Sequence, residues 1–133
     1  MPQENVEIVH RWWAGFNDHR LPPLELCDRD VEIRIPREFP FTGEYHGHEG
    51  VRTWVAEVFD VIEDHRVEVE RVLEAPDGET VVMALRSRGT TKQMQLDLET
   101  PWAAVWVIRG GKLVYAQGYL AMDEALEAAG LSE

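Results

Sequence analysis

Two stretches of this chain carry apolar residues at helical spacing. In the first, from Gln3 to Phe16, Val6, Val9, Trp13 and Phe16 form one stripe, which Ile8 and Trp12 widen. Glu4 and Glu7 sit near its start, where the helix dipole favours acids, and Asn17 is the expected C-terminal stop. Pro22-Pro23 then opens a short helical turn through Leu26, since proline suits a first helical position. The second helix is expected from His48 to Ile62, with Val51, Trp54, Val55, Val58, Phe59 and Ile62 on one face.

Elsewhere the period is that of strands. Val31 to Ile35 alternates and ends at Pro36. Pro36 to Gly50, with two prolines and three glycines, reads as a loop. Val67 and Val69 alternate with Glu68 and Glu70. Pro76-Asp77-Gly78 is a turn, from which Thr80 leads into the apolar run Val81 to Leu85. Gln93 to Ile108 is a long strand, or a pair interrupted near Pro101. Gly110-Gly111 is a tight hairpin into Lys112 to Leu120, and Asp123 begins a last helix that Gly130 ends. There is no internal repeat, linker or low-complexity segment. This order predicts one α+β domain over residues 1–133 with an antiparallel sheet.

Alternation divides the long strand by face. Met94, Leu96, Leu98, Thr100, Trp102, Ala104, Trp106 and Ile108 should face the core or a cavity. The other face begins polar at Gln93, Gln95, Asp97 and Glu99, and turns apolar at Ala103, Val105 and Val107. With Tyr115 and Tyr119 of the next strand, this face is the expected contact of a homodimer, because an exposed apolar patch on a soluble protein usually marks one. Arg34, Arg86 and Arg88 oppose apolar neighbours and belong to the surface.

Composition narrows the class. Of 133 residues, 44% are hydrophobic and 29% charged, which suits a globular chain and excludes disorder. Twenty-five acids against thirteen bases give a net charge of −12, which disfavours nucleic acid and anionic membranes as partners. The run from Trp102 to Ile108 is too short to cross a bilayer. Met1 to Asn5 is polar and acidic where a secretory leader is basic and then apolar. A single cysteine, Cys27, makes no internal disulfide and is expected to be buried and inert, so the cytoplasm is the expected compartment.

Few groups offer chemistry. His46 and His48 could chelate a metal with Glu44 or Glu49, but a catalytic zinc needs a third firm protein ligand, so neither metal nor cofactor is expected. The bland reading is that His48 packs at a helix start and His46 is solvated. Glu68, Glu70, Asp97 and Glu99 read as a solvated strand face rather than an acid–base pair. Glu57, one helical turn from Trp54, and Tyr45 are the best polar groups available, with His46 and His48 behind them as proton carriers.

Gln3 to Val9, Phe16-Asn17, Tyr45 to Arg52, Gly111 to Val114 and Glu124 to Leu131 together resemble the SnoaL-like branch of the nuclear transport factor 2-like superfamily. The resemblance covers nearly the whole chain. It implies a cone: a strongly bent sheet with three helices closing one side, a pocket between them, and often a dimer through the outer sheet face. It does not imply one activity, since the family includes polyketide cyclases, steroid isomerases, epoxide hydrolases and binding proteins. Aligned with ketosteroid isomerases, the general-base aspartate falls at about Ile35, the tyrosine donor at about Trp12 and the protonated acid near Ala104. The cyclases' aspartate falls close to Gly118. No known catalytic set transfers intact.

Within that cone the expected pocket lining is Trp12, Phe16, Trp54, Val58, Leu96, Leu98, Trp102, Trp106 and Gly118. The leading expectation is a binder of a small apolar, ring-type molecule whose polar end meets Tyr45 or Glu57. The alternatives are an isomerase, cyclase or hydrolase using Tyr45, His46, His48 or Glu57, and a dimeric accessory module whose cavity is filled by its own tryptophans.

Overall fold

The computed structural model describes residues 2–36 and 43–131. The chain begins with helix α1 (Pro2–His19), a 3-10 turn (Leu24–Leu26) and strand β1 (Cys27–Ile35). Strand β2 (Gly43–His46) and helix α2 (Gly47–Val61) follow. Then come β3 (Ile62–Glu74), β4 (Thr80–Thr91), β5 (Asp97–Arg109), β6 (Lys112–Tyr119) and helix α3 (Met122–Ala128). The six strands form one unclosed sheet in the order β2-β1-β6-β5-β4-β3. Every pair is antiparallel except β1 with β6, whose long intervening chain permits a parallel crossover. Register shifts near Glu63–Arg66 and Val69–Arg71 mark bulges, which bend the sheet.

The α1 stripe buries Ile8, Val9, Trp12, Trp13 and Phe16 against the concave sheet face. Asn17 does not stop this helix, which runs to His19 and turns out through Arg20 at a φ of 57°. The Asn17 side chain is engaged by β3 instead. At Gly15 an added Cβ would stand 2.7 Å from Pro23 Cδ, so glycine there lets the Pro22-Pro23 corner fold back onto the helix. Helix α2 packs Val51, Trp54, Val55 and Val58 beside α1.

The expected loop before α2 contains β2, which pairs with β1 from Glu32↔His46 to Ile35↔Gly43. Glycine and polar residues gave it no alternation to read. Residues 37–42 of that loop lie outside the described residues. Strand β5 starts at Asp97, not Gln93. The intervening residues form a tight connection, in which the Thr91 N–H donates to the Leu96 carbonyl at 2.9 Å and Gln95 takes a φ of 53°. Met94 (71%) and Leu96 (51%) are therefore exposed. Pro101 does not break β5. It lies beyond Ala103↔Tyr119, where the β6 ladder ends, so its missing N–H is not needed on that side. At Gly110 and Gly111 φ is 57° and 76°, the double positive turn that suits a hairpin.

The third helix departs from the implied arrangement. Instead of joining α1 and α2, α3 lies on the opposite sheet face, where Ala125 and Leu126 cover Val82, Ala103 and Val105. Ala103 and Val105, expected at a dimer contact, are 0% and 8% exposed beneath it. Further along that face Arg86 bridges Glu70 at 2.9 Å and Glu99 at 3.1 Å, and Arg88 bridges Glu68 at 2.8 Å. Among the described residues no helix is long and apolar enough to cross a membrane.

Candidate functional site

A cavity opens between α1, α2 and the concave faces of β1, β5 and β6. Five indoles converge on it. Trp12 and Trp13 come from α1, Trp54 from α2, and Trp102 and Trp106 from β5, whose alternation also brings Ala104 to the wall. Ile33 and Ile35 of β1 and Ala116 and Gly118 of β6 complete it. Arg34 and Gln117 border it from strand positions that alternate with these. The Arg34 guanidinium lies 5.6 Å from the Tyr115 ring centroid, and the Tyr115 hydroxyl donates to Gln117 Oε1, so both side chains serve the other sheet face. The space a water can reach is about 20 Å³, room for about one water, and it is partly open to solvent.

The indoles pack against one another around this space. Trp12 meets Trp13 edge-on at 4.7 Å and Trp106 at 5.0 Å, and Trp13 meets Trp102 at 6.1 Å. Such edge-to-face pairs add to burial because the positive ring edge meets the negative face. Two N–H groups are satisfied: Trp12 donates to Cys27 Sγ at 3.3 Å and Trp102 to Ser87 Oγ at 2.8 Å. The buried Trp13 N–H has no acceptor among the described residues. Burial pushes the Cys27 thiol pKa up, which the Trp12 hydrogen bond partly opposes.

Of the expected lining, Trp12, Trp54, Trp102, Trp106 and Gly118 meet at this cavity. Phe16 and Val58 are buried one layer behind it. Leu98 is half-buried and away from the wall, and Leu96 is exposed in the β4–β5 connection. Trp13, Ile33 and Ile35 were not anticipated as lining, and Ala104 and Ala116, expected to point inward from their strands, were not named in it. The helical stripe for Trp13, and strand alternation for the others, held the signal.

The proton-carrying candidates lie elsewhere. Tyr45 and Glu57 bind each other near the surface, the phenol donating to Glu57 Oε1 at 2.6 Å. Partial burial, reinforced by Glu57, pushes the Tyr45 pKa up to about 12. The His46 ring is exposed, with Nε2 3.9 Å from Asp30 Oδ1. His48 Nε2 lies 2.9 Å from the Cys27 carbonyl oxygen, to which it donates as the Nε2–H tautomer. The two histidines thus face different partners. Among the described residues no group of three His, Cys, Asp or Glu side chains could hold a metal ion.

The model of the SnoaL-like domain family matches residues 9–116, and the chain belongs to that family. Its fold is shared by an NTF2-like protein of unknown function from Burkholderia pseudomallei, at 22% identity and a TM-score of 0.77, over 93% of this chain and 95% of that one. It is shared by a ketosteroid isomerase-like protein from Catenulispora acidiphila in complex with trimethylamine, at 21% identity and a TM-score of 0.75, over 95% and 94%. TerC, co-crystallised with polyporic acid, is similar at 22% identity and a TM-score of 0.74, over 93% and 98%. No curated protein matches the chain.

Proposed function

We propose that this SnoaL-like domain binds a small, apolar, ring-bearing molecule in the tryptophan-lined cavity. The convergence of five indoles on one space carries this reading. Trp12, Ile35, Ala104 and Gly118, where the resemblance would put catalytic groups, all border that space, and each is apolar. Tyr45, Glu57, His46 and His48 lie away from the lining, which favours binding over proton transfer because a general acid or base must reach the reacting atom. Similar folds hold small molecules of different chemistry, trimethylamine in one and polyporic acid in another.

A ring is larger than this 20 Å³ of water-accessible space, so in this reading a wall side chain yields as it enters. Trp102 and Ile35 are the half-exposed apolar members of the wall and would be displaced first. The same small volume supports a second reading, an accessory module whose own tryptophans occupy the cone. We further propose a homodimer through what α3 leaves uncovered of the outer face, namely Val107 and Tyr115, whereas Tyr119 packs against the cluster that α3 covers.

The test is titration with an apolar fluorescent dye and a panel of planar ring compounds at neutral pH, read by tryptophan quenching and melting temperature. Micromolar binding that Trp106→Ala shifts at least tenfold supports the ligand reading. A panel that neither quenches nor raises the melting temperature hands the function to the accessory module.

A further inference from the structure

His65 is the one buried polar or charged residue among those described, at 8% exposure, and neither ring nitrogen has a hydrogen-bond partner. A neutral imidazole offers one donor and one acceptor, and leaving both unmade in the interior costs stability. A phenyl ring would suit the site better, because the imidazole sits edge-on to Phe16 at 5.4 Å and to Phe59 at 6.0 Å. Structural economy therefore does not explain a histidine here.

The surroundings add two features. His65 follows Asp64, a non-glycine residue at a φ of 52° within the β3 bulge, a conformation that stores strain. Against it β4 presents Gly89, where a Cβ would stand 2.4 Å from Ile62 Cγ2 and 3.3 Å from His65 Cα, so the strands are pressed close. Phe16 also touches Trp13 at 5.3 Å and Trp54 at 5.7 Å, and both indoles are cavity walls. A chain of packed rings thus joins His65 to the cavity.

We propose that His65 is an acid-operated release for the cavity wall: once protonated, the ring leaves its slot between Phe16 and Phe59, and the α1–α2 contact holding Trp13 and Trp54 loosens. The described charged groups nearby are either paired with other residues or turned to solvent. From α1, Asp18 pairs with Arg66 of β3 at 3.8 Å, and Arg20, just past the helix, lies over the Phe59 ring at 5.4 Å. Arg88 of β4 pairs with Glu68. Asp60 of α2 and Glu63 and Asp64 of β3 are exposed. Burial alone lowers the His65 pKa to about 4, with no charge offsetting it. Among the described residues an imidazolium therefore finds no counter-ion in the slot and is stabilised by moving outward.

The experiment follows near-ultraviolet circular dichroism and acrylamide quenching of tryptophan from pH 7 to pH 4, with far-ultraviolet dichroism in parallel. It needs no ligand, so it stands or falls separately from the binding reading. The wild type should lose near-ultraviolet signal and become several-fold more quenchable below about pH 5 while its far-ultraviolet signal holds. His65→Phe, and His65→Leu as a second packing solution, should abolish that transition. The proposal is overturned if the variants keep the transition at the same midpoint, if the wild type shows none, or if near- and far-ultraviolet signals collapse together.

Discussion

The Asn17 carboxamide closes both backbone groups of Val67: Oδ1 accepts the Val67 N–H at 2.8 Å, and Nδ2 donates to the Val67 carbonyl at 2.9 Å. One side chain on α1 thereby substitutes for a neighbouring strand at the sheet edge, since among the described residues β3 pairs only with β4. It also sets the height of α1 over β3, and so the position of Trp13 and Phe16 four and one residues earlier on the helix.

Asn17→Ala should cost about 2 kcal/mol, roughly 1 kcal/mol for each lost hydrogen bond. Chemical denaturation reads this as a lower midpoint with an unchanged slope. Asn17→Asp should be worse at neutral pH, because it sets a carboxylate oxygen against the Val67 carbonyl. A loss below about 0.5 kcal/mol for both variants would show that solvent replaces the bridge.

The sequence made the α+β class, both large helices and the long strands legible, because their apolar positions repeat with a clear period. What it hid was set by contacts distant in sequence. Asn17 reads locally as a helix stop, and only β3, fifty residues on, reveals its other use. Leu96 continues an alternating pattern on paper, yet the Thr91–Leu96 hydrogen bond turns the chain before the strand begins. Glu57 shares a helix with Trp54 but sits three residues on, on the outward side, where Tyr45 takes it. Of the indoles, period put Trp12, Trp54, Trp102 and Trp106 on inward faces, and the resemblance to a cone-shaped family turned those faces toward a cavity.

Stability should depend on pH through His65, and the sign follows from its lowered pKa. The unfolded chain binds this proton near 6.5, the folded protein only near 4. Stability is therefore unaffected above about pH 6.5 and falls as pH drops toward 4, by at most about 3 kcal/mol from this group. Denaturation midpoints at pH 7 and pH 4.5 should differ less in His65→Phe than in the wild type. An equal acid loss in both would assign it to carboxylates.

Tyr45 and Glu57 should matter to each other and not to the cavity. Glu57→Gln should let the phenol ionise below its present value of about 12, visible in an ultraviolet pH titration. Tyr45→Phe should change the affinity for an apolar dye by less than twofold. A tenfold loss would return Tyr45 to the site and revive the enzyme reading.

The dimer must be tested where α3 does not interfere. Val105→Glu would put a charge beneath that helix and destabilise the fold whatever the oligomeric state. Val107→Glu is the cleaner change, because Val107 shares the face of Tyr115, with which it pairs, and is half-buried. Sedimentation velocity should show a wild-type dimer at micromolar concentration and a folded Val107→Glu monomer. A wild-type monomer would remove the dimer altogether.

Gly118 separates an open cavity from a filled one. It borders the 20 Å³ space on β6, opposite Ala104, and its φ is not among the positive ones, so an L side chain is allowed there. A methyl group at this position would occupy the room a ligand needs and relieve the entropic cost of glycine in a strand. Gly118→Ala should therefore raise stability by about 0.5–1 kcal/mol while weakening dye binding. Opposite signs in the two measurements are what a ligand cavity requires. If the variant gains stability and binds the dye unchanged, the dye sits elsewhere. If it loses stability, the wall is already packed shut, as an accessory module would have it.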